Sequence, residues 1–225
     1  MNQDADLLRQ RARTPRAAAI AGIIFSLLLI TVQVLIRISI PANPLGPAAD
    51  VINHSKTISL ALNLLPFAGI AFLWFIAVLR DRLGELEDRF FATVFLGSGL
   101  LFVAMTFVMA VIAGGIIRVL GSGSDDLVRS GAYALGRVEV SEAMQIYAMK
   151  MAAVFMISTS TIALRTRIVP RWMTFLGYLL AVVLLLSVGT IDWIPLVFPL
   201  WVLLISTHIL MENLRAQPEA TTSKG

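Results

Sequence analysis

The stretch AAAIAGIIFSLLLITVQVLIRISI, residues 17–40, decides the fold of this chain. It is almost continuously apolar, and it follows a run of four arginines: Arg9, Arg11, Arg13 and Arg16. A cleavable signal peptide has an apolar region of only about 7–15 residues, whereas a helix that crosses a bilayer needs about 20. The stretch is therefore predicted to be an uncleaved first membrane span.

The rest of the chain shares this apolar character. Of its 225 residues, 58% are apolar and 14% are charged, and the mean hydropathy is +0.84. Because an ordinary soluble domain carries about 25% charged residues, too little charge remains to coat a soluble globule. We expect an all-α fold, a polytopic membrane helical bundle for which the bilayer is the main solvent.

Apolar runs separated by polar breaks predict six transmembrane helices. Residues 1–16 would then form a basic cytoplasmic segment, 17–212 the transmembrane domain and 213–225 a polar cytoplasmic tail. The proline-rich residues after the first span predict an irregular loop, and the longest polar connection is expected between the third and fourth spans. The six predicted spans are residues 17–40, 57–79, 90–117, 143–165, 171–189 and 193–211.

The distribution of lysine and arginine predicts the orientation. With the N-terminus inside, twelve of the 18 basic residues fall on the cytoplasmic side and six on the other. Cytoplasmic flanks carry the excess of basic residues, so both termini are predicted to be cytoplasmic, in a bacterial plasma membrane. The basic residues flank apolar spans, so the net charge of +4 is not taken as a sign of nucleic-acid binding.

Cofactor and metal sites are not expected. The chain has no cysteine, and its two histidines, His54 and His208, fall on opposite sides of the predicted membrane. They cannot share one metal or haem, so no conventional transition-metal site is predicted.

The fourth span contains the polar residues with the most functional interest. Lys150 lies about 7 Å below the outer surface if Arg165 marks the inner edge. On an ideal helix that begins before Glu139, the side chains of Glu139, Glu142 and Lys150 share one stripe, with Gln145 on a flanking face. The stripe could bind a polar headgroup, relay a proton or tie the span to a neighbour, and a snorkelling lysine is the structural alternative.

The second span adds one further candidate. Pro66 removes a helical hydrogen bond, and Asn63 could satisfy the freed backbone or bond to another helix. Broken helices build transport sites, but proline kinks are also common in membrane helices. The candidate polar intramembrane site therefore comprises five residues, none of them assigned as catalytic: Lys150, Glu142, Glu139, Asn63 and Gln145.

The stretch MAAVFMISTSTIALRTRIVPRWMTFLGYLLAVVLLLS, followed by DWIPLVFPLWVLLIS, resembles a family of uncharacterised bacterial six-span integral membrane proteins. The resemblance implies no established reaction and carries over no catalytic residue. It implies a shared structural signature made of Lys150, Arg165, Pro170, Arg171 and Trp172.

Three functions fit these observations. The first is a non-catalytic scaffold or accessory subunit of a membrane complex, with membrane lipids, a membrane-protein partner or further copies of the chain as its contacts. The second is a small-solute permease or exporter, favoured by Pro66 and the charged stripe, which requires a polar cavity between spans. The third is a lipid-active enzyme at the outer leaflet, which requires Glu139, Glu142 and Asp192 to converge within about 10 Å.

Overall fold

The structure, a computed structural model, describes residues 2–40, 48–83, 89–123, 126–166, 169–187 and 193–215. Every regular element within these ranges is helical, so the predicted all-α bundle is confirmed. The elements in chain order are α1 (Asn2–Ser39), α2 (Ala48–Asn53), α3 (Ser55–Leu83), α4 (Arg89–Gly121), α5 (Asp126–Arg129), α6 (Ala132–Glu142), a π-helical turn (Ala143–Ala148), α7 (Met149–Thr166), α8 (Arg171–Leu186), a 3-10 turn (Ile194–Leu196) and α9 (Val197–Arg215).

Five of the six predicted spans correspond to helices that are long and apolar enough to cross a membrane. These are Ala17–Ser39, Ser55–Arg80, Ala92–Gly121, Ala132–Arg165 and Ile194–Arg215. The remaining one, α8, has 16 residues, or about 24 Å at 1.5 Å per residue, against a hydrocarbon core of about 30 Å. It starts at Arg171, as predicted, but it is shorter than the predicted 171–189 because the helix ends where Ser187 turns into extended backbone.

Helix α8 nevertheless runs from one end of the bundle to the other. It begins a few residues after the end of α7, and the 3-10 turn that follows it packs against the π-helical turn at the other end of α7. Trp172 and Trp193, at the two ends of this segment, are both exposed, as expected of aromatic residues at the two membrane interfaces.

The centre of the bundle is a cluster of phenylalanine rings, one from each of five long helices: Phe25 of α1, Phe72 of α3, Phe102 of α4, Phe155 of α7 and Phe198 of α9. All five side chains are at most 2% exposed. Ring centroids lie 4.5 Å apart for Phe25 and Phe72 and 4.8 Å apart for Phe102 and Phe198. Lipid tails are as apolar as the helix surfaces, so the hydrophobic effect contributes little to association between helices in a membrane. Close van der Waals packing of these rings therefore stabilises the bundle.

Two predicted connections contain more helix than expected. After the proline-rich residues 41–47, which lie outside the described residues, α2 forms a short helix before α3. The polar segment between the third and fourth spans is largely α4, α5 and α6, and α6 continues through the π-helical turn into α7. Because α6 carries several charges, it was predicted as part of the polar connection. In the structure these charges lie on a helix that extends the fourth span to Ala132.

Candidate functional site

The predicted stripe on the fourth span is altered by the π-helical turn. The helix does begin before Glu139, but Ala143–Ala148 adopts π geometry between Glu142 and Lys150. Residues with i→i+5 hydrogen bonds turn less about the axis than α-helical ones, so Lys150 leaves the face predicted from an ideal helix. Glu139 and Glu142 are exposed and Lys150 is half-buried. Among the described side chains, no ion pair joins Lys150 to either glutamate.

One of the five candidate residues, Gln145, lines a cavity. That cavity lies where the C-terminal end of α1, the N-terminal end of α3, the C-terminal half of α4 and the α6 segment meet. Its volume is about 130 Å³. Ten of its fourteen lining residues are apolar, and the four polar ones are Arg37, Arg137, Ser141 and Gln145. We call this space the two-arginine cavity.

Arg137 is the most buried charged residue of the cavity, with 9% of its surface exposed. Its Nη1 donates a hydrogen bond to the Tyr133 hydroxyl at 3.1 Å, and its guanidinium carbon lies 5.8 Å from the centre of the same ring. The two residues are one helical turn apart on α6, and Tyr133 is itself buried. A cation held over an aromatic face in this way is fixed in orientation.

The neutral polar pair, Ser141 and Gln145, is also one turn apart. Gln145 Nε2 donates to Ser141 Oγ at 3.1 Å. Gln145 Oε1 is buried without a hydrogen-bond partner, which is costly for a polar atom. A half-turn of the terminal amide would exchange its oxygen and its NH₂ group, so the pair can offer either a donor or an acceptor to a molecule in the cavity.

The arrangement is suited to holding an anion. None of the lining residues that the structure describes is acidic, and a guanidinium is the side chain best matched to carboxylate or phosphate oxygens. Arg37 and Arg137 are among the six basic residues counted on the non-cytoplasmic side, and the sequence did not assign them to a site. Arg37 could have been recognised as an ionisable residue inside an apolar span, whereas Arg137 lies in the polar connection predicted between the third and fourth spans.

Asn63 lies elsewhere, on the outward face of α3. The exposed residues Leu60, Asn63, Phe67, Ile70 and Trp74 recur every three or four positions, so they form one face of the helix. We call this face the α3 outer stripe. The Asn63 amide has no hydrogen-bond partner among the described residues. Pro66 lies within α3, which continues through it.

The hydroxyl-rich segment of α7 is mostly bonded within its own helix. Thr159 donates to the Phe155 carbonyl at 2.8 Å and Ser158 to the Val154 carbonyl at 2.9 Å. One contact links two helices, the 2.7 Å hydrogen bond between the hydroxyls of Thr161 on α7 and Tyr178 on α8. The hydroxyls of these three residues thus bond to the backbone of their own helix or to the neighbouring helix.

The remaining polar candidates do not assemble into a site. His208 Nε2 lies 3.5 Å from Glu212 Oε1, one turn further along α9. Within the ranges that the structure describes, no three histidine, aspartate or glutamate residues converge as a metal site would require. Asp192, expected beside the two glutamates in the enzyme hypothesis, lies outside the described residues.

Comparison with known proteins gives no match to a family model, to a curated protein or to a solved structure. The resemblance to six-span bacterial membrane proteins therefore stays a prediction.

Proposed function

We propose that this chain is a non-catalytic membrane protein that acts as a scaffold or accessory subunit of a membrane complex. The observation that carries the proposal is Asn63 on the α3 outer stripe. Counting from Arg80 at about 1.5 Å per residue and a core of about 30 Å, the Asn63 amide falls inside the hydrocarbon region. A polar group facing lipid is unfavourable, whereas a hydrogen bond to another helix contributes about 0.6–2 kcal/mol.

The partner we propose for the α3 outer stripe is a transmembrane helix of another membrane protein, with a hydrogen-bonding side chain at the depth of Asn63. The flanking Phe67 and Trp74, 61% and 67% exposed, would supply apolar contact on either side. Aromatic residues beside a polar anchor are a common composition at the centre of an interface.

The phenylalanine cluster favours this function over a permease. A solute path would have to pass between helices whose rings fill the centre of the bundle, and the two-arginine cavity lies at one end of the bundle. We further propose the bacterial plasma membrane as location, with both termini cytoplasmic. The excess of basic residues at the end of the bundle where α1 begins supports this orientation.

Site-specific photo-crosslinking in the native membrane tests the proposal. A photoreactive phenylalanine at position 67 is expected to capture one discrete membrane protein, and Asn63→Val is expected to remove that adduct. The matched control is the same photoreactive phenylalanine in place of Leu179, which is 62% exposed on α8. At that position we expect it to capture lipid only. Adducts only with lipid, or only with a second copy of the chain, would contradict an accessory role.

A further inference from the structure

We propose that the two-arginine cavity binds the phosphate head of an anionic phospholipid, with part of the lipid chain lying against the apolar wall of the cavity. This site is separate from the α3 outer stripe and does not depend on the function proposed above. Three features of the cavity support this proposal: its two guanidinium groups, its apolar wall and its position in the bundle.

Two guanidinium groups line the cavity and are partly removed from solvent. Arg37 is half-buried and Arg137 is buried, and no acidic side chain lines the cavity among the described residues. Each guanidinium carries five N–H donors. A phosphate in the cavity can therefore accept charge-assisted hydrogen bonds from both groups.

The apolar wall distinguishes an amphiphile from a free ion. Isoleucine, valine, methionine and alanine side chains make up the ten apolar lining residues, which a hydrated inorganic anion would not contact favourably. The volume of about 130 Å³ corresponds to roughly four water molecules at about 30 Å³ each. The cavity therefore accommodates the phosphate group, and the chains of the lipid would extend along the apolar wall into the surrounding lipid.

The position of the cavity matches the depth of a lipid phosphate. Arg37 lies in the last turn of α1, and Ile58 lies in the first turn of α3. The cavity is thus close to the membrane edge, where head groups meet the hydrocarbon. Arginines at this depth reach lipid phosphates readily. Tyr133 acts as a positioning residue, because its hydroxyl and ring orient the Arg137 guanidinium.

Binding of three probes to the purified full chain in neutral detergent tests the proposal. The probes are short-chain phosphatidylglycerol, short-chain phosphatidylcholine and inorganic phosphate. We expect phosphatidylglycerol to bind at least about tenfold more tightly than either of the others, a difference of about 1.4 kcal/mol. Equal binding of the two lipids would overturn the role of the arginines, and phosphate binding as tight as phosphatidylglycerol would overturn the role of the apolar wall.

Charge variants assign the binding to the cavity. Arg37→Gln and Arg137→Gln are each expected to weaken phosphatidylglycerol binding about tenfold or more, since a hydrogen bond to a charged group contributes about 1.5–3 kcal/mol. Arg118→Gln is the matched control, because Arg118 is exposed near the end of α4 and does not line the cavity. Tyr133→Phe should weaken binding less than Arg137→Gln and should leave the preference for phosphatidylglycerol intact. An equal loss in the Arg118 variant would contradict the assignment.

A cavity-filling variant tests the apolar wall without changing any charge. Ala113→Leu on α4 places extra carbon atoms in the cavity, whereas Ala104→Leu places them on the exposed face of the same helix. Only the first should weaken phosphatidylglycerol binding. If an arginine variant fails to fold, the comparison of the two alanine variants and the three-probe comparison on the unaltered chain still decide the question.

Discussion

At Gly177, three helices approach one another more closely than any side chain would permit. A Cβ atom at this position of α8 would clash with the Ser160 hydroxyl of α7 and lie 2.9 Å from Trp201 Nε1 of α9. Trp201 is 2% exposed and cannot move aside easily. Small residues of this kind allow membrane helices to pack closely.

We therefore expect Gly177→Ala to destabilise the protein by about 1–3 kcal/mol, the usual cost of overpacking. The fraction of monodisperse protein after heating in detergent measures the loss. Gly115→Ala is the control, since a Cβ at that position meets no atom within 4 Å and alanine is the better helix former. Equal melting of the two variants would show that α7, α8 and α9 are not in this contact.

Lys150 is a residue whose charge has no ionic partner among the described side chains, so its removal should cost little. Lys150→Met is expected to fold and to change stability by about 1 kcal/mol or less, because no ion pair is lost. The midpoint of thermal unfolding in detergent measures the effect, with the wild-type chain as reference. A large loss of stability would contradict the expectation that the half-buried lysine makes no strong ionic interaction.

Single residues of the cavity could be predicted only in part from the sequence. Gln145 and the charged character of α6 were recognisable, because polar groups in apolar spans are rare. The convergence of Arg37 and Arg137 could not be predicted, since they are 100 positions apart in the chain. Their proximity to one cavity depends on how α1 packs against α3 and how α6 packs against α4, which helical periodicity does not determine.

At the scale of elements, the π-helical turn sets the orientation of α6. Deleting Ile146 would restore α-helical geometry and turn α6 by about 100° relative to α7. Each α6 residue would then occupy the place of its C-terminal neighbour. Arg137 would move to the exposed position of Val138, and Leu135, now exposed, would move to the buried position of Gly136.

Single-cysteine labelling detects this rotation, because the chain has no cysteine of its own. In the intact chain, a cysteine at position 135 should react with a maleimide and one at position 137 should not. The deletion is expected to reverse the two reactivities. An unchanged pattern would contradict the role of the π-helical turn in setting the register.

Elements with a strong apolar period were predictable, and those with special backbone geometry were not. Residues 17–40 and 57–79 agree with α1 and α3 because apolar length alone identifies such spans. The π-helical turn has no signature in AMQIYA, the sequence of Ala143–Ala148. The prediction placed the C-terminal end of α8 too late, because the apolar run continues past the point where Ser187 leaves helical geometry.

At the scale of the whole molecule, the phenylalanine cluster connects five helices. Phe72 is the ring with the most neighbours, packing 5.4 Å from Phe102, 5.1 Å from Phe155 and 5.7 Å from Phe198. Phe72→Ala should cost about 3–5 kcal/mol, measured as loss of the monodisperse fraction on heating. Phe67→Ala, on the exposed face of the same helix, should have little effect. Similar losses in both would contradict a packed centre.

We propose that the helical bundle is threaded through the membrane, with the two-arginine cavity at its outer end. Labelling of single cysteines in intact cells with a membrane-impermeant maleimide tests this topology. Ser122→Cys, after α4 at the cavity end, is expected to react in intact cells. Arg80→Cys, at the other end of α3, is expected to react only after permeabilisation. Reaction at both positions in intact cells, or at Arg80→Cys alone, would contradict the claim.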